Sequence, residues 1–312
     1  MLTVEQDGSP FTEINDRGGV LAVKFTVNGE YLVSGGLGGV QVWRAEDGKL
    51  IATLMEEGIV SCLAVSKDGR WIAAGTHFAW LVWDAKTYKQ VRVQRDPYVI
   101  GVDFSPDSTR LVTISENRIA TWDIGGPSNI PGLLWNENGA REVKYSPRGD
   151  RIAAATNLNT LRLYDSKHGR LLVDIPMTVT GSDNSGLLWS NDHFFVLSDG
   201  KIKQIAASTG LAVSEWEVPQ TNSNQFKFSC ITLSEDGKLI AFSANRALTF
   251  WDTSTYSQLG FVQHPQNIRS IALSQDGRFL AIGGQDGKII IRNLRDVLPP
   301  SCFAVSVIYC RL

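Results

Sequence analysis

Residues 60–84 read VSCLAVSKDGRWIAAGTHFAWLVWD, and the order of signals within them sets the fold. An apolar alternation around the small residue Cys62 opens the stretch, Asp68-Gly69 makes a turn, and Trp71-Ile72-Ala73-Ala74 follows as a second strand. After a short turn a third strand closes on Trp83-Asp84. Period-two runs of this kind form β-strands, and a sharp reversal between them needs Gly, Asn or Asp to relieve backbone strain. Outward from this stretch the closing position recurs as Trp43, Trp122, Tyr164, Ile205 and Trp251, with Arg292 as a seventh, altered copy. Successive markers are separated by 40, 39, 42, 41, 46 and 41 residues. That period suits four short strands with their turns and exceeds that of leucine-rich and tetratricopeptide repeats.

The other columns keep the same register. First strands run from Val20 to Thr26 and from Ile268 to Ser274. The turn column reads Asn28-Gly29, Asp68-Gly69, Asp107-Ser108, Arg148-Gly149, Asn191-Asp192, Asp236-Gly237 and Asp276-Gly277. The third strand often ends in an aromatic-Asp pair: Trp83-Asp84, Trp122-Asp123, Tyr164-Asp165 and Trp251-Asp252. A more amphipathic fourth strand returns, as in Lys49 to Leu54 or Arg170 to Ile175.

On these residues the chain resembles the WD-repeat family over about residues 12 to 297. The resemblance implies an all-β fold: a seven-bladed β-propeller of four-stranded antiparallel blades around a central channel. Several copies depart from the family pattern. The Ile205 copy lacks Trp-Asp, the Gly-His dipeptide is absent, and His264 alone stands four residues ahead of a first-strand apolar position, Ile268. Blade seven keeps Asp286-Gly287 but has Arg292 in place of the aromatic, so the family's buried His, Ser/Thr, Trp, Asp network is incomplete there.

Ring closure accounts for the two ends. The last blade has three strands before Pro299-Pro300, and Phe11-Thr12-Glu13-Ile14 is an unassigned strand ahead of the first blade, so the N-terminal strand is expected to complete blade seven. The domain reading is one propeller over residues 1–297 and a tail over 298–312. With 43% hydrophobic residues the chain has ample core, and a net charge of -2 with pI near 6.1 gives no basic footprint for direct nucleic-acid binding. Met1 to Pro10 is polar without a secretory pattern, and no apolar run reaches the length of a membrane helix. Membrane insertion is not expected. The location expected is intracellular, cytoplasmic or nuclear, in a protein of eukaryotic style. The terminal Cys310-Arg311-Leu312 loosely resembles a peroxisomal address, with chance the better explanation.

No cofactor or metal is expected. His77, His168, His193 and His264 fall in different blades without ligand spacing, and Gly35-Gly36 and Gly38-Gly39 serve tight bends rather than a phosphate loop. Cys62 and Cys230 occupy one column in blades two and six and are not placed to pair, while Cys302 and Cys310 lie in the tail.

The resemblance implies a non-catalytic scaffold or adaptor that binds a protein or peptide through its rim loops. It is read as a monomeric ring, open to membership of a larger complex. The alternatives are a propeller enzyme with a channel-mouth site of lactonase or dehydrogenase type, or a substrate receptor of a cullin ubiquitin ligase. The latter reading comes from Trp83-Asp84-Ala85-Lys86 and Tyr164-Asp165-Ser166-Lys167. Candidate rim residues are Phe78, Trp80 and Trp135, read either as exposed anchors or as caps on a neighbouring core, and Phe226 in the insertion Gln220 to Phe226. Arg118, Arg141, Arg246 and Arg269 are read as a cationic surface for an acidic or phosphorylated peptide, or else as solvated arginines. Lys24, Asp103 and Lys144 share one first-strand column, and Asp103 is expected to pair with Lys144 across the seam between blades three and four.

Overall fold

The hairpin that opens most of the repeats is locked by its own side chains. Ser66 Oγ donates to Asp68 Oδ1 at 2.6 Å and accepts the Trp71 N–H at 2.8 Å, which closes the turn from inside. The same device recurs at Ser105 and Asp107, Ser234 and Asp236, and Ser274 and Asp276. Such side-chain to backbone bonds compete with longer secondary structure and therefore fix where a strand must reverse.

The computed structural model describes residues 12–16, 18–116, 118–126, 131–137, 139–177, 186–198, 201–217 and 229–303. Strand β1 (Thr12–Asn15) precedes seven consecutive units. Blade 1 holds β2 (Val20–Phe25), β3 (Tyr31–Gly36), β4 (Gly39–Arg44) and β5 (Leu50–Met55). Blade 2 holds β6 (Val60–Val65), β7 (Trp71–Thr76), β8 (Ala79–Asp84) and β9 (Gln90–Arg95). Blade 3 holds β10 (Val99–Phe104), β11 (Arg110–Ser115), β12 (Arg118–Asp123) and the short β13 (Leu133–Asn136). Blade 4 holds β14 (Ala140–Tyr145), β15 (Arg151–Thr156), β16 (Thr160–Asp165) and β17 (Leu171–Pro176). Blade 5 holds β18 (Leu187–Ser190), β19 (His193–Ser198), β20 (Lys201–Ala206) and β21 (Ala212–Glu217). Blade 6 holds β22 (Ser229–Leu233), β23 (Leu239–Ala244), β24 (Ala247–Asp252) and β25 (Gln258–Gln263). Blade 7 holds β26 (Ile268–Leu273), β27 (Phe279–Gly284) and β28 (Lys288–Asn293).

Seven four-stranded antiparallel sheets result, and the seventh is completed by β1, which pairs with β28 in the register Thr12 to Ile291 through Asn15 to Lys288. The sequence expectation of an N-terminal closing strand holds from Thr12 onward; Phe11 lies outside the described residues, as do Met1 to Pro10, Gln220 to Phe226 and Cys310 to Leu312.

The core is a set of slabs between blades. Ile14, Val23, Leu32 and Trp43 pack with Ala281, Ile289 and Ile291 where blade 1 meets blade 7, while Trp80 and Val82 of blade 2 pack with Val102, Leu111 and Trp122 of blade 3. The marker residues stand in these slabs: Trp83, Tyr164, Ile205 and Trp251 are buried. In blade 5, where Ile205 replaces the aromatic, Trp216 is buried on β21 and stacks 4.9 Å from Tyr256 of the next blade. Past β28, a 3-10 turn at Leu294–Asp296 carries Leu294 and Leu298 into the slab with Leu248, Phe250 and Ile268.

Polar links under the markers vary between repeats. Trp43 Nε1 donates to Ser34 Oγ at 2.9 Å, and Ser34 Oγ donates to Asp16 Oδ2 at 2.7 Å, so the N-terminal segment completes the relay in blade 1. Trp122 Nε1 donates to Thr113 Oγ1 at 2.9 Å in blade 3. Blade 4 instead buries Glu137, whose carboxylate takes the Tyr164 hydroxyl and Arg162 Nη1, the latter at 2.7 Å. Burial pushes the Glu137 carboxyl above its ordinary range, against the pull of the Arg162 guanidinium. In blade 7, His264 is buried and its Nδ1 accepts the Gln266 N–H at 3.1 Å; Arg292 stands in the marker position, opposite Leu280.

Two stability outcomes follow from this packing. Ile14→Ala removes a buried side chain from the closing strand and should cost roughly 2–5 kcal/mol in urea unfolding; a loss under about 0.5 kcal/mol would mean that β1 is not needed for closure. Glu137→Ala leaves the Tyr164 hydroxyl without its buried acceptor and Arg162 with Asp174 as its remaining acid, and should cost about 1–3 kcal/mol, with Arg162→Met adding less in that background than it costs alone. Additive losses in the double variant would show that the two groups act independently.

Candidate protein-docking rim

The upper rim carries the turns between second and third strands, such as β7 to β8, together with the crossings between blades, such as β9 to β10. The lower rim carries the Ser/Asp hairpins and the turns after the markers. On the lower rim the acids serve their own turns. Asp84 Oδ1 accepts from Lys86 N, Thr87 N and Thr87 Oγ1, and Asp165 Oδ1 accepts from Lys167 N and His168 N. These bonds hold both carboxyls below the ordinary range. Asp252 and Asp123 act likewise, on Ser254 and Thr255 and on Gly125 and Gly126.

The upper rim is different in character. Phe78, in the β7 to β8 turn, is 82% exposed, and Tyr98, in the β9 to β10 crossing, is 58% exposed. The backbone joins them: Asp96 N donates to Phe78 O at 3.1 Å and Tyr98 N donates to His77 O at 2.9 Å, with the His77 and Tyr98 rings 5.5 Å apart. Tyr98 holds a left-handed backbone with φ of 53°, a strained choice for a bulky residue that swings its ring onto His77. Leu37 and Ile59, from blade 1 and the crossing into blade 2, are also exposed on this rim. Leu37 is held out by glycines on both sides: a Cβ on Gly36 would lie 2.1 Å from Gly19 O, and one on Gly39 would lie 2.0 Å from Met55 O.

The structure corrects several sequence expectations. Trp80 is no rim anchor: it is 1% exposed, because β8 begins at Ala79 and Trp80 alternates with Val82 into the slab shared with blade 3, where its ring lies 5.0 Å from Trp122. Trp135 sits on β13 opposite Ile119 and packs 5.3 Å from the Tyr164 ring, so it covers a seam instead of projecting from the rim. Arg118 is tied by Nη2 to the buried Asp96 at 2.7 Å. Arg141 and Arg246 are exposed, with Arg246 Nε donating to His264 O at 3.2 Å, and Arg269 is half-buried. The four arginines fall into two sectors, at blades 3 and 4 and at blades 6 and 7. Phe226 lies outside the described residues. Leu37, Ile59 and Tyr98 escaped the sequence reading, although each is an apolar or aromatic residue in a Gly- or Pro-marked connection.

The channel wall carries charge as well. Residues of one innermost strand reach the next: Ser270 Oγ accepts the Val23 N–H at 3.1 Å, Asp103 Oδ2 accepts the Tyr145 N–H at 2.8 Å, and Glu142 Oε2 accepts the Gly186 N–H at 2.8 Å. Asp103 was expected to ion-pair with Lys144, but among the described residues no ion pair joins them; Asp103 satisfies a backbone donor of the next blade, and Lys144 acts on it at longer range. Lys144 and Lys24 line a small cavity with Ser61, Cys62 and Ser270, about 30 Å³ in volume, room for water and not for a metabolite. Burial, reinforced by Lys144, lowers the Lys24 ammonium to about 8. Burial raises the Glu142 carboxyl to about 7, against the pull of Lys144. Among the described residues no cluster of three or more His, Cys, Asp or Glu is placed to hold a metal, and no helix is long and apolar enough to cross a membrane.

The family model described as WD domain, G-beta repeat matches residues 8–44, 48–84 and 256–293, which correspond to the first two units and the last of this seven-bladed ring. Three of the seven units thus match the WD repeat, on a ring whose fold is a seven-bladed β-propeller. WD repeat-containing protein 18 is 23% identical in Danio rerio and 24% in Homo sapiens, matching 79% of this chain in each case but only 63% and 61% of those proteins. The chain thus spans less than two thirds of their length. Eukaryotic translation initiation factor 3 subunit I of Pyricularia oryzae is 23% identical, with 86% of this chain and 87% of that protein covered.

Glu142 gives this propeller a distinctive pH response. Its folded pKa, about 7, lies above the ordinary 4.5, so its protonated form favours folding: the contribution is full below pH 4.5 and is lost as pH rises through 7. Glu142→Gln should remove that loss, leaving the variant more stable than the parent at pH 8 by a few kcal/mol and closest to it near pH 4.5. Thermal melts across this range check the sign, and parallel curves for the two proteins would refute it.

Proposed function

We propose that this chain is a non-catalytic ring that docks a partner protein on its upper rim between blades 1 and 3, and that it works inside the cell as a member of a larger assembly. The observation that carries the reading is the contiguous set of exposed apolar side chains there, Leu37, Ile59, Phe78 and Tyr98, each held on a backbone constrained by cross-turn bonds or glycine. Aromatic anchors on a rigid frame lose little side-chain entropy on binding, which is the economy that makes such residues dominate interfaces. The relatives support this direction: one is by name a subunit of a translation initiation factor, and another, 24% identical over 64% of this chain, is by name Actin-interacting protein 1 of Drosophila melanogaster.

Affinity capture with the intact chain, beside a Phe78→Ala/Tyr98→Ser variant of unchanged melting temperature, tests the proposal. Partners should be recovered with the parent and lost from the variant. Equal recovery by both would move the docking face elsewhere.

A further inference from the structure

The outer edge of blade 2 differs in charge from every other outer edge. β9 is the last strand of its sheet, a six-residue strand paired on its inner side with β8 from Ala79–Arg95 to Trp83–Gln90, with one register shift, between Val82 and Trp83. Residues 85–95, the turn and strand together, carry four cations, Lys86, Lys89, Arg92 and Arg95, and no acid. The matching stretches of the other blades hold at most one net positive charge: residues 45–55 contain Glu46, Asp47 and Lys49, residues 166–176 contain Lys167, Arg170 and Asp174, and residues 207–217 contain only Glu215 and Glu217. In a chain of net charge -2 this is a local concentration. Between the cations stand Val91 and Val93, 46% and 47% exposed, with Val93 beside Leu81 on the inner strand. The edge runs directly into the rim patch, since the residue after Arg95, Asp96, donates its N–H to Phe78 O.

We infer that the edge of β9 takes an extended acidic segment of the partner as a fifth strand, its backbone pairing with β9, its acids meeting Lys89 and Arg95, and an apolar side chain reaching Phe78. This rests on the docking reading above and adds the partner's chemistry to it. An unpaired edge supplies main-chain donors and acceptors to any extended chain, while side chains flanking that edge select which one. Val93 and Arg95 stand two positions apart on one face of β9, so they select a strand that carries an apolar residue and an acid two positions apart. The exposed valines favour a peptide over a nucleic acid, whose phosphates would leave the valines unmatched.

The test uses the full chain and a short synthetic peptide of repeated Leu-Leu-Glu-Glu, which sets a leucine and a glutamate two positions apart on each face, measured by fluorescence anisotropy at low and high salt. Binding should weaken roughly tenfold or more for Lys89→Glu/Arg95→Glu, for added salt, and for a peptide N-methylated at the residues that face β9. Phe78→Ala should weaken it less. The inference is overturned if the parent does not bind, if N-methylation in either alternation leaves affinity unchanged, or if an RNA oligonucleotide binds more tightly and displaces the peptide. It is also overturned if Lys89→Gln/Arg95→Gln self-associates while peptide affinity is unaltered, because the charges then serve only to keep edges apart. Partner capture separates the two readings: retention by Lys89→Glu/Arg95→Glu with loss in Phe78→Ala/Tyr98→Ser sinks the edge and leaves the rim standing.

Discussion

Four residues hold the ring shut. Each blade has two apolar faces, so each depends on a neighbour on both sides, and the chain ends would leave one seam open if blade 7 were built from its three consecutive strands alone. The pairing of Thr12–Asn15 with β28 supplies the missing strand from the other end of the chain and places Ile14 between Ile289, Ile291 and the Trp43 slab. The neighbouring Asp16 then completes the polar relay through Ser34 to Trp43. Backbone pairing, apolar burial and a buried hydrogen-bond chain thus meet in one short segment, and the stiffness of the rim follows from it.

Within that closed frame the repeats tolerate considerable variety. The position under the marker aromatic is occupied by Ser34, by Thr113, or by Glu137 with Arg162, according to the blade. What is shared is satisfaction of a buried polar group, not the identity of its partner. The channel follows the same rule, since Ser270, Asp103 and Glu142 each accept a backbone N–H of the adjoining blade. Charges are tolerated there because they replace one inter-blade hydrogen bond with another, at the expense of strongly displaced protonation in Lys24 and Glu142.

The two rims divide the labour. Lower-rim aspartates are consumed by turn capping, each satisfied by backbone donors of its own turn. The upper rim between blades 1 and 3 holds apolar groups outward and is continuous with a basic sheet edge. A face of the first kind gives a partner little to desolvate, and a face of the second kind gives it both apolar area and a sign of charge.

The sequence by itself determined the number of blades, their strand order and their lower-rim turns, because these rest on local physics: period-two burial, Ser and Asp capping a reversal, and a marker aromatic at fixed spacing. It also announced the N-terminal strand, since a blade of three strands needs a fourth. Only the tertiary structure decided what each rim residue does. Phe78 and Trp80 are two positions apart in one stretch, yet the start of β8 at Ala79 leaves the first in solvent and sends the second into a neighbour's core. Likewise Arg118 finds Asp96 in the preceding crossing, and Asp103 finds a backbone N–H where its sequence column suggested Lys144. Those outcomes depend on which side of a strand faces which blade, a relation between distant segments that exists only after the ring has closed.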